Sequence, residues 1–309
     1  MARIFFILGC TACGKGAVGR VLARRLGGQI VSVDSMKVYR RMDIGTGKPS
    51  LADRAEISHH CIDIVEPSES FSVARYVEFA DRAVDDISTA GDVVLAVGGT
   101  ALYLKSLSEG LFEGPGADAE IRGELKRRAA AEGLAVLHDE LTRIDPESAG
   151  RIHPNDEKRI VRALEVYLLT GEPISRLQRQ WDKPARRYDC LFIGLRRSRE
   201  DTNWRINARV RRMIEQGLRD EVAALLDEPA GLSHQAAQAL GYAEMIEHLE
   251  GKLSLDEAVE QIKINTRQFA KRQRTWFRRF RDVRWIDAAE DATAEDIAEK
   301  AINYFESGV

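Results

Sequence analysis

The stretch GCTACGKG (Gly9–Gly16) constrains the fold more than any other feature. It lies between an apolar run, RIFFIL (3–8), and a segment, AVGRVLARRL (17–26), whose apolar residues recur at helical spacing. Strand, glycine-rich turn and helix, with Gly9, Gly14 and Lys15 in G-x-x-x-x-G-K register, make a phosphate-binding loop. The glycines let the backbone bend until successive N–H groups and the helix N-terminus surround an anion, and the lysine reaches its terminal phosphate. One position departs from the pattern. Gly16 stands where a serine or threonine hydroxyl ordinarily helps to hold Mg²⁺, which counts against a conventional triphosphatase.

Other short apolar runs follow the first. QIVSV (29–33) ends at Asp34-Ser35, VVLAV (93–97) ends at Gly98-Gly99-Thr100 before a helix expected over 101–108, and CIDIV (61–65) and LFIGL (191–195) are further candidate strands. Apolar strands alternating with helices predict an α/β fold, a P-loop-type parallel sheet flanked by helices. Ligands bind beyond the carboxyl ends of such strands, so Gly9–Gly16, Asp34–Ser35 and Gly98–Thr100 should converge. From Glu113 to about Pro184 the texture turns polar and helix-rich, between EGPGAD (113–118) and QWDKPARR (180–187). The expected organisation is a core of 1–112 and 186–309 with a helical insertion domain over 113–185.

The 309 residues, 44% apolar and 31% charged, describe a globular chain. No apolar run reaches the roughly 18–20 residues of a membrane span, and the N-terminus lacks a secretory pattern, so a cytoplasmic location is expected. Cys10-x-x-Cys13 has no second pair to complete a metal site and reads as packed apolar residues; His59-His60 likewise lacks a ligand cluster. The net charge of −3 averages over segregation: Arg267–Arg284 holds eight Lys/Arg and one acid, Asp282. On a helix, Arg267, Lys271, Arg274, Arg278 and Arg281 share one face, with Phe269, Trp276 and Phe280 opposite. Same-sign charges without interleaved acids repel unless a polyanion is present, which favours RNA contact.

Seven stretches in order carry a family resemblance: GCTACGKG, VSVDSMKVYRRMDIGTGKP (31–49), HHCIDIVEP (59–67), VGGTALYLKSLSEGL (97–111), RIHPNDEKRIVRALEVYLLTG (151–171), QALGYAEM (238–245) and TRQFAKRQRTWFRRF (266–280). Together they resemble the tRNA dimethylallyltransferases over nearly the whole chain. The resemblance implies transfer of a dimethylallyl group from dimethylallyl diphosphate to N6 of the adenosine next to the anticodon, with release of diphosphate, by a monomer using Mg²⁺. It implies that Gly9, Cys10, Thr11, Ala12, Cys13, Gly14, Lys15 and Gly16 bind the diphosphate or nucleotide. It makes Asp34 the general base, Thr100 a group near the reacting nitrogen and departing oxygen, and Arg209 a clamp on the diphosphate. Contacts with the tRNA anticodon stem-loop are implied for Asp34, Ser35, Met36 and Lys37, for Arg122, and for Lys158, Arg159, Ile160, Val161 and Arg162. The run Ala237, Gln238, Ala239, Leu240, Gly241 and Tyr242 completes that set.

Two departures stand out. Cys10 and Cys13 replace the usual proline and serine, which changes little because the loop works through its backbone. Gly16 removes a side-chain metal contact, so either Mg²⁺ is held by the diphosphate, water and a neighbour such as Asp34 or Thr11, or activity is reduced. Prenylation of free adenine nucleotides, a small-molecule kinase, and an RNA-binding module with an inactive loop are the competing readings.

Overall fold

The computed structural model describes residues 1–111, 114–179, 186–280 and 282–307. Arg281 and the expected boundary residues 112, 113 and 185 lie outside them. The chain divides into two compact units, Met1–Ser108 with Arg186–Val309, and Glu109–Ala185.

The first unit is built on six parallel strands, β1 (Arg3–Gly9), β2 (Gly28–Val33), β3 (His59–His60), β4 (Val93–Gly98), β5 (Asp189–Arg196) and β6 (Val283–Asp287). Their order is β3-β2-β4-β1-β5-β6. Parallel strands need crossovers, and the long ones here are helical. They are α1 (Lys15–Leu26), α2 (Leu51–Glu56), α3 (Val73–Thr89) and α4 (Ala101–Glu109).

The second unit follows, with α5 (Ala119–Glu132), α6 (Leu134–Ile144), α7 (Pro146–Ala149), α8 (Glu157–Thr170) and α9 (Ile174–Leu177). The first unit resumes after β5 with α10 (Arg199–Glu215), α11 (Leu218–Leu226), α12 (His234–Ala237), α13 (Tyr242–Leu249) and α14 (Leu255–Phe277), and ends in α15 (Ala294–Ser307) after β6.

Because alternate residues of a strand face opposite ways, β1 reports what covers each side. Phe5 meets Phe305 of α15 at 4.2 Å between ring centroids, whereas Phe6 stacks on Phe192 of β5 at 4.6 Å. Phe192 in turn meets Phe280, just beyond α14. Both faces are therefore covered, which is why the central strands read as unbroken apolar runs rather than alternating ones.

Two strand expectations need correction. CIDIV (61–65) is not a strand: pairing stops at His60, and Cys61 and Asp63 take positive φ values of 59° and 56°, which turn the chain away from the sheet. Only an isolated bridge from Val65 to Tyr39 remains. Conversely VRWID (283–287), too short and charged to stand out, is the edge strand β6.

The second unit has its own core, with Leu125 of α5, Leu137 and Leu141 of α6, and Ile160 and Leu164 of α8 at its centre. Among the described residues no helix is long and apolar enough to cross a membrane.

Candidate functional site

The loop between β1 and α1 is shaped by partners from three distant elements. Gly14 caps α1 with φ 96°, a left-handed value that favours glycine. Lys15 Nζ folds back and donates to the Cys10 carbonyl at 3.2 Å. From α14, Gln273 accepts the Thr11 N–H at 2.8 Å through Oε1 and donates through Nε2 to the Gly99 carbonyl at 2.8 Å. From the end of β5, Arg197 donates to the Cys13 carbonyl at 3.0 Å while paired with Asp201. From α10, Arg209 Nη1 donates to Thr11 Oγ1 at 3.3 Å and Nη2 to the Thr46 carbonyl at 3.2 Å. Burial lowers the Arg209 pKa, partly offset by Asp34.

The approach of Arg209 depends on Gly47. A Cβ there would collide with the guanidinium, and φ is +60°. The strand-end loop carrying Gly47 is itself held by Glu221. Its carboxylate accepts N–H groups of Asp43 and Ile44 at 3.0 and 2.8 Å and the Tyr242 hydroxyl at 2.6 Å.

Asp34 ends β2. Its Oδ1 accepts the Met36 N–H at 2.9 Å and, weakly, that of Lys37 at 3.4 Å, while Oδ2 takes no hydrogen bond among the described residues. Across from it, Thr100 Oγ1 accepts the Ser35 N–H at 3.1 Å. Asp34 thus plays both parts a carboxylate can at a strand end: one oxygen fixes the turn and the other is left for chemistry.

Two cavities of about 350 Å³ each meet at this point. The first is polar, lined by Lys15, Gly16, Lys37, Arg205 and Arg212 among others, with Trp204 at its rim. The second is mostly apolar, lined by Met36, Ile206, Val210, Met213, Leu240 and Ile262 with Thr100 and Ser35. They share Thr11, Asp34, Thr46, Arg209, Phe269 and Gln273. One side suits a phosphate and the other an apolar or aromatic group, with a carboxylate and a guanidinium at the junction.

The expected site residues sort accordingly. Thr11, Ala12, Gly14, Lys15 and Gly16 line the polar cavity, whereas Gly9, Cys10 and Cys13 do not. The two cysteines are buried thiols, and burial first, then the neighbouring Cys13, pushes the Cys10 pKa up to about 11. Gln238, Ala239, Leu240 and Gly241 line the apolar cavity; Ala237 does not, and Tyr242 is wholly buried in its bond to Glu221.

In the second unit, Ile160 and Val161 are core side chains. Arg122 and Arg162 both grip the fully buried Glu165, at 2.8 and 2.6 Å. Arg159 is exposed, with a loose pairing to Asp156 at 3.4 Å. His59 and His60 hydrogen-bond the Ile57 carbonyl and Gln29 at 2.6 and 2.7 Å.

The expected Mg²⁺ finds a poor donor set. Gly16 offers no hydroxyl, the Thr11 hydroxyl already accepts from Arg209, and Asp34 has one oxygen left. No group of three His, Cys, Asp or Glu that could hold a metal occurs among the described residues. Mg²⁺ commonly keeps its waters and is held by one or two carboxylates plus substrate phosphates, so Asp34 Oδ2 and the Thr11 hydroxyl are the protein groups that could meet an ion carried by a diphosphate.

Gln273, Arg197 and Glu221 escaped the reading of the sequence. For Gln273 a signal existed: it is an uncharged polar residue on the α14 stripe that also carries Ile262, Ala270 and Phe277, and a buried polar group on an apolar stripe needs a partner.

A sequence model described as IPP transferase matches residues 37–280. A tRNA dimethylallyltransferase of Geobacter metallireducens is 48% identical over 285 residues, 92% of each chain. Among solved structures, the tRNA isopentenylpyrophosphate transferase of Bacillus halodurans is 39% identical, covers 99% of this chain and 98% of its own, and superposes with a TM-score of 0.71. A eukaryotic dimethylallyltransferase acting on tRNA is 28% identical, with coverage of 100% and 80% and a TM-score of 0.84.

Proposed function

The chain belongs to the tRNA dimethylallyltransferase family, prenyl-transferring enzymes, and from that premise we propose that its two joined cavities divide the substrates of one displacement. The diphosphate of dimethylallyl diphosphate lies in the polar cavity, and the adenine next to the tRNA anticodon enters the apolar one. The amine lone pair attacks the allylic carbon, the carbon–oxygen bond breaks, and its electron pair leaves with the diphosphate. The proton of N6 passes to Asp34 Oδ2, which accepts no hydrogen bond among the described residues. Lys15, the loop N–H groups and Arg209 receive the leaving charge, the planar fork of the arginine suiting such an acceptor. Thr100, on the apolar side, orients the base. To reach the site, the adenine must leave the anticodon-loop stack.

The observation that carries this reading is Asp34, shared by both cavities with one free carboxylate oxygen. It suggests a sharp variant. Asp34→Asn keeps the Oδ1 acceptor of the turn and removes only the base, so transfer of labelled dimethylallyl to unmodified tRNA should fall by about 10²–10⁴-fold with tRNA binding kept. Equal transfer in Asp34→Asn, or label reaching AMP but not tRNA, would overturn the reading.

A further inference from the structure

The polar cavity holds more positive charge than its single carboxylate balances. Lys15, Lys37, Arg205, Arg209 and Arg212 line it against Asp34 alone. Arg205 is paired with Asp201 at 2.9 Å, and Lys15 and Arg209 donate to neutral oxygens. Among the described residues neither the Arg212 guanidinium nor the Lys37 ammonium enters a hydrogen bond or ion pair, but Arg212 is exposed to water whereas Lys37 is half-buried. Burial lowers its pKa to about 8 against the pull of Asp34, and the nearby Arg209, Lys15 and Arg20 lower it further. An ammonium half out of water without an acceptor is unfavourable until an anion arrives.

The two cavities decide which anion. Within Asp34–Lys37, Ser35 and Met36 line only the apolar cavity, whereas Lys37 lines only the polar one, together with Lys15 and Gly16. Gly16 adds the complementary fact. A Cβ built there meets no atom within 4 Å, so the room for a threonine is open on the same cavity. One metal-holding side chain is missing, and a half-buried cation without a partner among the described residues lines the same cavity.

We propose that Lys37 is a diphosphate-binding residue whose ammonium supplies the neutralisation that a metal held by a hydroxyl at position 16 would supply, so that diphosphate affinity depends little on Mg²⁺. This rests on the reading of the polar cavity as the prenyl diphosphate site. It reassigns the Lys37 side chain from tRNA to the leaving group.

Inorganic pyrophosphate is the probe, titrated calorimetrically at neutral pH into wild type, Lys37→Gln, Gly16→Thr and the double variant, each with Mg²⁺ and with EDTA. Wild type should bind within about threefold in the two conditions. Lys37→Gln should lose about tenfold or more in EDTA, the ratio one charge-assisted hydrogen bond supplies. Adding Gly16→Thr to Lys37→Gln should recover affinity only with Mg²⁺. Because the Lys37 ammonium enters no hydrogen bond or ion pair among the described residues, its removal should leave the unfolding temperature unchanged. Pyrophosphate binding in EDTA as tight in Lys37→Gln as in wild type would overturn the proposal, as would loss of more than tenfold by wild type on chelation. Lys37-dependent pyrophosphate binding by a wild type that passes no label to tRNA would instead support the anion site and sink the prenyl-transfer reading.

Discussion

Two stretches rich in basic residues, one on α5 and α8 of the helical unit and one on α14 of the sheet unit, look alike in the sequence and differ in what their cations touch. Arg122 and Arg162 converge on Glu165, whose carboxylate is fully buried and also accepts the Asp118 N–H at 2.7 Å. Arg162 further donates to the carbonyls of Pro115 and Gly116 at 2.7 and 3.2 Å. By contrast Arg267, Lys271 and Arg274 line one cleft with Arg199 and Asn203, and none of the three pairs with an acid among the described residues. The first group spends its charge on holding its own unit together. The second has no such internal acid among the described residues. A basic run in a sequence is therefore a statement about partners still to be found, and burial of an acid decides whether the partner is internal.

The largest expected effect comes from removing that acid. Glu165→Gln leaves two guanidinium groups converging on a neutral amide, and the helical unit should lose about 2–3 kcal/mol, read as a fall in its unfolding temperature. Its pH dependence carries a sign. Burial tends to raise the Glu165 pKa, but the hydrogen bonds from Arg122 and Arg162 outweigh it and hold the group below its ordinary value. A depressed carboxylate contributes stability that is present above the unfolded pKa, about 4.3, and is lost as pH falls through the folded value. The gap between wild type and Glu165→Gln should thus be full at neutral pH and close in acid. A gap that widens in acid would mean the pairing has been misjudged.

Next comes the open cleft. Neutralising Arg267, Lys271 and Arg274 together to Gln should leave the unfolding free energy within about 0.5 kcal/mol of wild type, since no internal pair among the described residues is broken. Binding of tRNA should weaken by about tenfold or more, and its dependence on log salt should become shallower by about two to three. Unchanged binding with lowered stability would reverse the comparison.

How much of this was legible beforehand follows from where the partners sit. The phosphate loop, the buried strands and the placement of Asp34 and Thr100 at strand ends are local in sequence, and periodicity with turn chemistry reaches them. The pairing of Thr11 with Gln273 spans 262 positions, and Arg197 reaches back 184 to Cys13, so no window of sequence contains either. The strand at 61–65 was misread because its apolar spacing is real but serves a turn: Ile64 and Val65 donate to the Val38 carbonyl at 2.8 and 3.1 Å instead of extending the sheet. Lys37 shows the same limit from the other side, because the absence of a partner is visible only once every neighbour is known.

A smaller effect tests whether an internal partner excludes an external one. Arg122→Gln should cost the helical unit about 1 kcal/mol, since Arg162 still holds Glu165. If the family resemblance is right in giving Arg122 a tRNA contact, the same variant should also flatten the salt dependence by about one phosphate. A stability loss with no change in salt slope would confine Arg122 to its structural pairing.

The smallest expected change in stability is the cleanest to interpret. Arg159 lies on the first turn of α8, with its side chain 63% exposed and, among the described residues, a single ion pair, a 3.4 Å contact to Asp156. An exposed pair three residues apart contributes at most a few tenths of a kcal/mol, and a cation at a helix N-terminus is unfavourably placed against the macrodipole. Arg159→Gln should therefore leave the unfolding temperature unchanged or slightly raised. Any loss of tRNA affinity in this variant is then a binding effect alone, expected at up to about tenfold with a salt slope shallower by about one. Equal affinity and equal slope would show that an exposed, nearly unpaired arginine on α8 faces only water, and the contrast with α14 would sharpen to a contrast between the two units as wholes.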